Sequence, residues 1–138
     1  MSWKRPTVDT PFHIDWDWWR ANDRNYRLFL YEQLCEDCRR RFPNPMAVEE
    51  VDWIDPRTAE VTRADALQMC LRSRCVHEPG FIHEGLPVAA AVFRIFLMNG
   101  NQPASPNDLH GHMPWRSADT ILRVVADREV RYGIRAAS

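Results

Sequence analysis

No stretch of this 138-residue chain approaches the roughly 18 uninterrupted apolar residues of a membrane-spanning helix. Met1-Ser2-Trp3-Lys4-Arg5-Pro6 has no apolar run behind it, so no signal peptide is read there either. The expectation is a cytoplasmic protein, with no membrane partner, whose thiols are reduced or metal-bound. Catalytic signatures are missing as well. There is no glycine-rich phosphate loop, no H-E-x-x-H helix, no paired-carboxylate motif and no nucleophile–base pattern, which points away from an enzyme and identifies no small-molecule substrate. A strong charge of either sign is also lacking, the formal net charge being −1. Its distribution is only mildly uneven. Six arginines face four acidic residues from Leu86 onward, while twelve basic residues face fifteen acidic ones before it. That contrast does not by itself demonstrate a nucleic-acid partner.

What is present is a globular composition, 45% hydrophobic and 27% charged, in a chain long enough for one ordinary domain or two very small ones. Cysteine is scarce but ordered: the four fall into two close pairs, Cys35 with Cys38 and Cys70 with Cys75, about thirty residues apart. C-x2-C lets two sulfurs point at one ion from a tight turn, and a second close pair at this distance is zinc-site spacing. The reading is one structural Zn²⁺ on Cys35, Cys38, Cys70 and Cys75. Free thiols and a disulfide or redox pair are the alternatives, although a thioredoxin-like site would want a strand before Cys35, where the pattern is helical. The C-x4-C pair is the looser one. On a continuous helix Cys70 and Cys75 would lie about 140° apart, so the helix should end near Arg74. His77 is a further candidate ligand. Arg39, Arg40, Arg41, Arg72 and Arg74 gather around the cysteines, either balancing the negative charge of four metal-bound thiolates or forming a phosphate-contacting patch.

Taken in order, Asp15 caps a helix from Trp16, with Trp16, Trp19, Tyr26, Leu30 and Leu34 in one stripe broken by Asp23. Two of the three clustered tryptophans share that stripe and read as core; Trp18 is the one left over for stacking on a ligand. Val51 and Trp53 alternate before Asp55-Pro56-Arg57-Thr58, a turn signature, and Ala59–Thr62 returns, so a short β-hairpin is expected. A helix from Thr62 or Arg63 then carries Leu67, Cys70 and Leu71. Pro79, Gly80 and Gly85 mark a boundary, dividing the chain into a helical zinc module over 1–85 and a second domain over 86–138.

That second domain reads as a buried helix over Leu86–Asn99, a short helix opened by Ser105-Pro106, a tight turn at Pro114-Trp115-Arg116 and a helix capped by Ser117. A strand over Glu129–Arg135 follows. His110 and His112 point about 200° apart on the short helix and read as exposed. The order of elements over Leu86–Arg135 resembles the winged helix-turn-helix DNA-binding domains. The resemblance implies a trihelical fold whose third helix enters the major groove of duplex DNA and whose strand leads to a wing. By position it implies that Arg116, Ser117, Asp119, Thr120 and Arg123 face DNA and that Arg131 and Arg135 reach phosphates. Only one wing strand is visible, so its partner is either Gln102–Ala104 or missing, and Asp119 and Asp127 are acidic where phosphates would lie. The expectation is therefore a mainly α protein with a short hairpin, non-catalytic, containing zinc and related to transcription. The runner-up is a zinc-stabilised adaptor that docks another protein through Trp115 and Val124.

Overall fold

The computed structural model describes residues 5–21, 23–42, 44, 50–54, 57–127 and 132–137. Among them the fold is mainly α with a short antiparallel hairpin. The elements are β1 (Phe12–Ile14), α1 (Trp16–Arg20), α2 (Asp23–Gln33), α3 (Glu36–Arg41), β2 (Glu50–Ile54), β3 (Val61–Asp65) and α4 (Ala66–Ser73). A 3₁₀ turn (Cys75–His77), α5 (Val88–Met98), α6 (Pro106–His112), α7 (Ala118–Val125) and β4 (Ile134–Ala136) complete them. No helix is long and apolar enough to cross a membrane.

The chain forms two compact units, one of Met1–Ala21 with Gly80–Ser138, the other of Asn22–Pro79. This division departs from the expected one at 85/86, because the first 21 residues join the C-terminal helices. β1 supplies the reason. Its residues pair antiparallel with β4, Phe12 opposite Ala136 and Ile14 opposite Ile134. On its other side Phe12 exchanges two backbone hydrogen bonds with Ala104, at 2.8 and 3.0 Å. β4 therefore finds its partner in β1, and the Gln102–Ala104 segment touches β1 instead of β4. Of the expected strand over 129–135, residues 129–131 lie outside the described residues; Tyr132 and Gly133, with φ of 55° and 71°, form a turn, and β4 begins at Ile134.

In this first unit α5 is apolar on nearly every face, and Ala89–Phe93 and Ile95–Leu97 are all buried. Trp16, Trp19 and Tyr132 present ring edges to Phe93, with centroids 6.1, 5.8 and 6.4 Å away. The Trp19 indole N–H donates to the Tyr132 carbonyl at 2.9 Å. Gly133 is required beside it, because its φ is positive and a Cβ there would lie 2.7 Å from Trp19 Nε1. Asn101 secures the other edge. Its amide bonds both the N–H and the carbonyl of Ile14, at 2.8 and 3.0 Å.

The helix starts follow their local signals. The Asp108 N–H donates to Ser105 Oγ at 3.2 Å while Asp108 Oδ2 accepts from the Ser105 N–H at 3.0 Å, a reciprocal cap with Pro106 first in the helix. Ser117 caps α7 through the Thr120 N–H at 3.1 Å, and Asp15 caps α1.

The second unit holds α2, α3, α4 and the hairpin. The single helix expected from Trp16 to Leu34 is two helices. Asn22 and Asp23 are residue types that prefer turns and caps, and α1 belongs to the first unit. Leu30, Leu67 and Leu71 are fully buried, Leu67 and Leu71 one turn apart on α4, each stabilising by roughly 1.5–3 kcal/mol. β2 and β3 pair Glu50 with Asp65 through Ile54 with Val61 and pack on α4. Because all five residues to Asp65 are laddered, α4 begins at Ala66, not at Thr62 or Arg63; the turn residues Asp55 and Pro56 lie outside the described residues.

Candidate metal centre

Cys35 occupies the N-cap of α3 with φ −69° and ψ 165°, and its side chain makes no capping hydrogen bond. Three residues later Cys38 faces inward and is fully buried. Thus the C-x2-C segment is itself the first turn of a helix. α4 carries Cys70 inward beside Leu71 and stops at Ser73, after which the 3₁₀ turn brings back Cys75. The sulfurs of Cys35, Cys38 and Cys75 all lie within 4.8 Å of one another. Tetrahedral zinc with Zn–S bonds of about 2.3 Å needs sulfurs about 3.8 Å apart, so these three can hold a metal ion after small side-chain adjustments. Among the described residues no other group of three histidine, cysteine or acidic side chains converges in this way.

Cys70 is placed differently from the expectation. Its sulfur is bonded to that of Cys38, the two Cα atoms being 6.2 Å apart, so in this structure the fourth cysteine closes a disulfide across the two pairs while Cys35 and Cys75 are free thiols. The Cys35 backbone N–H donates to Cys75 Sγ at 3.0 Å, a bond of the kind that supports a metal-bound thiolate. Without a cation the same thiol is held neutral. Burial pushes the Cys75 pKa up to about 11, against the lowering effect of that N–H, with Cys35 and Glu78 adding to the rise. Metal binding would have to displace its proton.

Arg39 and Arg40 have local partners. Arg40 pairs with Glu36 at 2.7 Å and Asp37 at 3.7 Å, and Arg39 donates to the Glu32 carbonyl at 2.8 Å and lies over the Tyr31 ring. Acidic residues at the start of α3 and basic ones at its end also match the helix dipole. Arg41 and Arg74 are exposed and Arg72 is half-buried. His77 is exposed on the 3₁₀ turn, outside the sulfur group.

In the other unit, Arg116, Ser117, Asp119 and Arg123 are exposed at and along α7. Thr120 is half-buried, and Ser117 Oγ donates to its hydroxyl at 2.9 Å, so these two hydroxyls are engaged with one another. Arg135 is exposed on β4 and approaches Asp15 at 3.6 Å. Arg131 lies outside the described residues. His110 contacts the Arg116 carbonyl at 2.6 Å through Nδ1, and His112 is exposed. Trp115 and Val124 are half-buried. The Trp115 indole N–H is fully buried with no hydrogen-bond partner among the described residues.

Sequence reasoning missed β1, whose three residues flanked by Pro11 and Asp15 are too few for an alternating pattern to stand out. It also missed the cross-pairing of Cys38 with Cys70. Comparison with protein-family models, with curated proteins and with solved structures finds no match to this chain.

Proposed function

We propose that this is a cytoplasmic, non-catalytic, zinc-containing protein that binds nucleic acid in a role related to transcription. Its reduced form holds one Zn²⁺ on Cys35, Cys38, Cys70 and Cys75. The observation that carries the reading is the convergence of three sulfurs within 4.8 Å, with the fourth bonded to one of them. Reduction of the Cys38–Cys70 bond leaves four thiols on three short elements, the donor set of a structural zinc site. A disulfide closing a loop of 32 residues contributes roughly 3–4 kcal/mol, whereas structural zinc contributes roughly 10–16 kcal/mol.

The nucleic-acid half of the proposal rests on the resemblance of α5, α6, α7 and β4 to a winged helix. In that reading α7 is the recognition helix, Arg116 and Arg123 contact bases or backbone, and Arg131 and Arg135 contact phosphates. Exposure of Arg116, Arg123 and Arg135 supports it. The bond between the Ser117 and Thr120 hydroxyls leaves the arginines as the main contacts. The test is a titration against random duplex DNA at two salt concentrations, together with elemental analysis. Nonspecific binding in the micromolar range or weaker at physiological salt, tightening as salt falls, is expected. So is one zinc per chain; less than a tenth of an equivalent, without chelator, contradicts the metal reading.

A second reading, a protein-docking adaptor, has one observation in its favour. Ile54 and Val61 pair in register at the loop end of the hairpin and are 61% and 59% exposed. Trp115 and Val124, the surface first expected to serve an adaptor, are half-buried. If no salt-dependent duplex binding appears even at low ionic strength, the adaptor reading replaces the first.

A further inference from the structure

The two thiol pairs adjacent in sequence are not the pairs joined in space. A bond within C-x2-C or within C-x4-C would leave α3 and α4 independent, whereas Cys38–Cys70 ties the two helices together. Cys38 and Cys70 are 0% and 7% exposed and Cys75 is 1%. Cys35 alone of the four is partly exposed, and its sulfur lies within 4.8 Å of both Cys38 and Cys75. Cys35 is the partly exposed residue, and the bond sits on two buried ones.

We propose that the cysteine cluster is an oxidant-modification site for small peroxides, in which Cys35 receives the oxidant and the oxidised end state is the buried Cys38–Cys70 disulfide with the metal released. The proposal rests on the zinc reading only for the metal that is lost.

The steps balance with hydrogen peroxide as the two-electron oxidant. Cys35 Sγ attacks one peroxide oxygen, the O–O bond breaks and hydroxide leaves, taking a proton to become water; Cys35 is then a sulfenic acid. Cys38 Sγ attacks that sulfur and expels the second oxygen, which also leaves as water on protonation, giving a Cys35–Cys38 disulfide. Cys70 Sγ attacks Cys38 Sγ and expels the Cys35 thiolate, leaving Cys38–Cys70 oxidised. Two thiolates have lost two electrons and one peroxide has become two waters. Only Cys35 and Cys75 then remain as thiols, too few to retain a structural zinc. In a reducing compartment such a bond is transient and regulatory.

The test uses the full chain, reduced and zinc-loaded, treated with one equivalent of hydrogen peroxide, then acid-quenched, alkylated and mapped by mass spectrometry. Expected are a Cys38–Cys70 disulfide, alkylated Cys35 and Cys75, zinc transferred in proportion to a chromogenic chelator, and recovery with dithiothreitol and zinc. A sulfenic-acid trap such as dimedone should label Cys35 first, and Cys35→Ser should slow oxidation of the reduced, metal-free chain about tenfold. A final disulfide of Cys35–Cys38 or Cys70–Cys75, or dimedone on Cys70 or Cys75 first, overturns the proposal. The metal-free arm separates the two readings. A chain that takes up no zinc yet forms Cys38–Cys70 through Cys35 leaves the modification site standing and removes the zinc reading. One that holds zinc yet oxidises to another pairing does the reverse.

Discussion

The two units of this chain are held together by different means. In the unit containing the C-terminal helices, Phe12, Ile14, Val92, Phe93, Ile95, Phe96, Leu109, Met113 and Ile121 are each less than 2% exposed, drawn from β1, α5, α6, α7 and the turn after α6. The Asn22–Pro79 unit offers Leu30, Leu67 and Leu71 at that level of burial among its described residues, and clusters its cysteines beside them. Below a certain size a folded segment cannot bury enough apolar surface to offset its conformational entropy, and a metal or covalent staple makes up the difference. All four cysteines lie in the Asn22–Pro79 unit, so a staple of either kind acts there.

Metal removal should break this contrast most severely. On the zinc reading, chelation of the reduced, zinc-loaded chain should remove a contribution of roughly 10–16 kcal/mol. Hydrogen exchange should then show amides of α2 and α4 losing protection while those of α5 and α7 keep theirs. Loss of protection throughout would mean a single cooperative core.

The converse perturbation is Phe93→Ala, which removes the ring that Trp16, Trp19 and Tyr132 all edge. A cost of roughly 3–5 kcal/mol is expected from a denaturant midpoint reported by tryptophan fluorescence, with zinc stoichiometry unchanged. A fall in bound zinc would show that the two units are not separable in this way.

A smaller effect sharpens the role of the N-terminal strand. Gly133→Ala forces a Cβ to 2.7 Å from the Trp19 indole at a φ of +71°. It should cost roughly 1–3 kcal/mol and deprotect the β1–β4 amides ahead of those in α5. An alanine variant as stable as the parent would mean that the close approach of the turn to Trp19 is not needed.

The least disruptive changes address function alone. On a preferred duplex Arg123→Ala should weaken binding by roughly 1–3 kcal/mol and relax sequence preference. Arg135→Ala should weaken all duplexes alike and make the salt slope shallower by about one unit. Thermal melting should be unaltered in the first. In the second, loss of the exposed 3.6 Å contact with Asp15 should cost no more than about 1 kcal/mol.

The mainly helical class, the hairpin, the starts of α6 and α7 and the grouping of cysteines could all be anticipated from residues close together in the chain. Ser105-Pro106 and Ser117 act on N–H groups three residues away, so their effect is encoded within one helical turn. Cys35 and Cys38 are brought together by three residues of helix. Apolar spacing on α4 and near-continuous apolar character on α5 likewise specify which faces turn inward, whatever they turn toward.

What the sequence did not disclose is contact between segments distant along it. Phe12-His13-Ile14 becomes a strand because β4 lies on one side and Ala104 on the other, supplying partners for backbone groups that three residues cannot satisfy themselves. Arg116 and Arg123 could be expected on an exposed helix, but that the Ser117 and Thr120 hydroxyls would be engaged with one another follows from side-chain placement. The same holds for the thiols. Spacing alone assembles four cysteines into two pairs; that Cys38 faces Cys70 while Cys35 lies beside Cys75 follows from the packing of α3 on α4, because bond formation selects the nearest sulfur in space and takes no account of sequence separation.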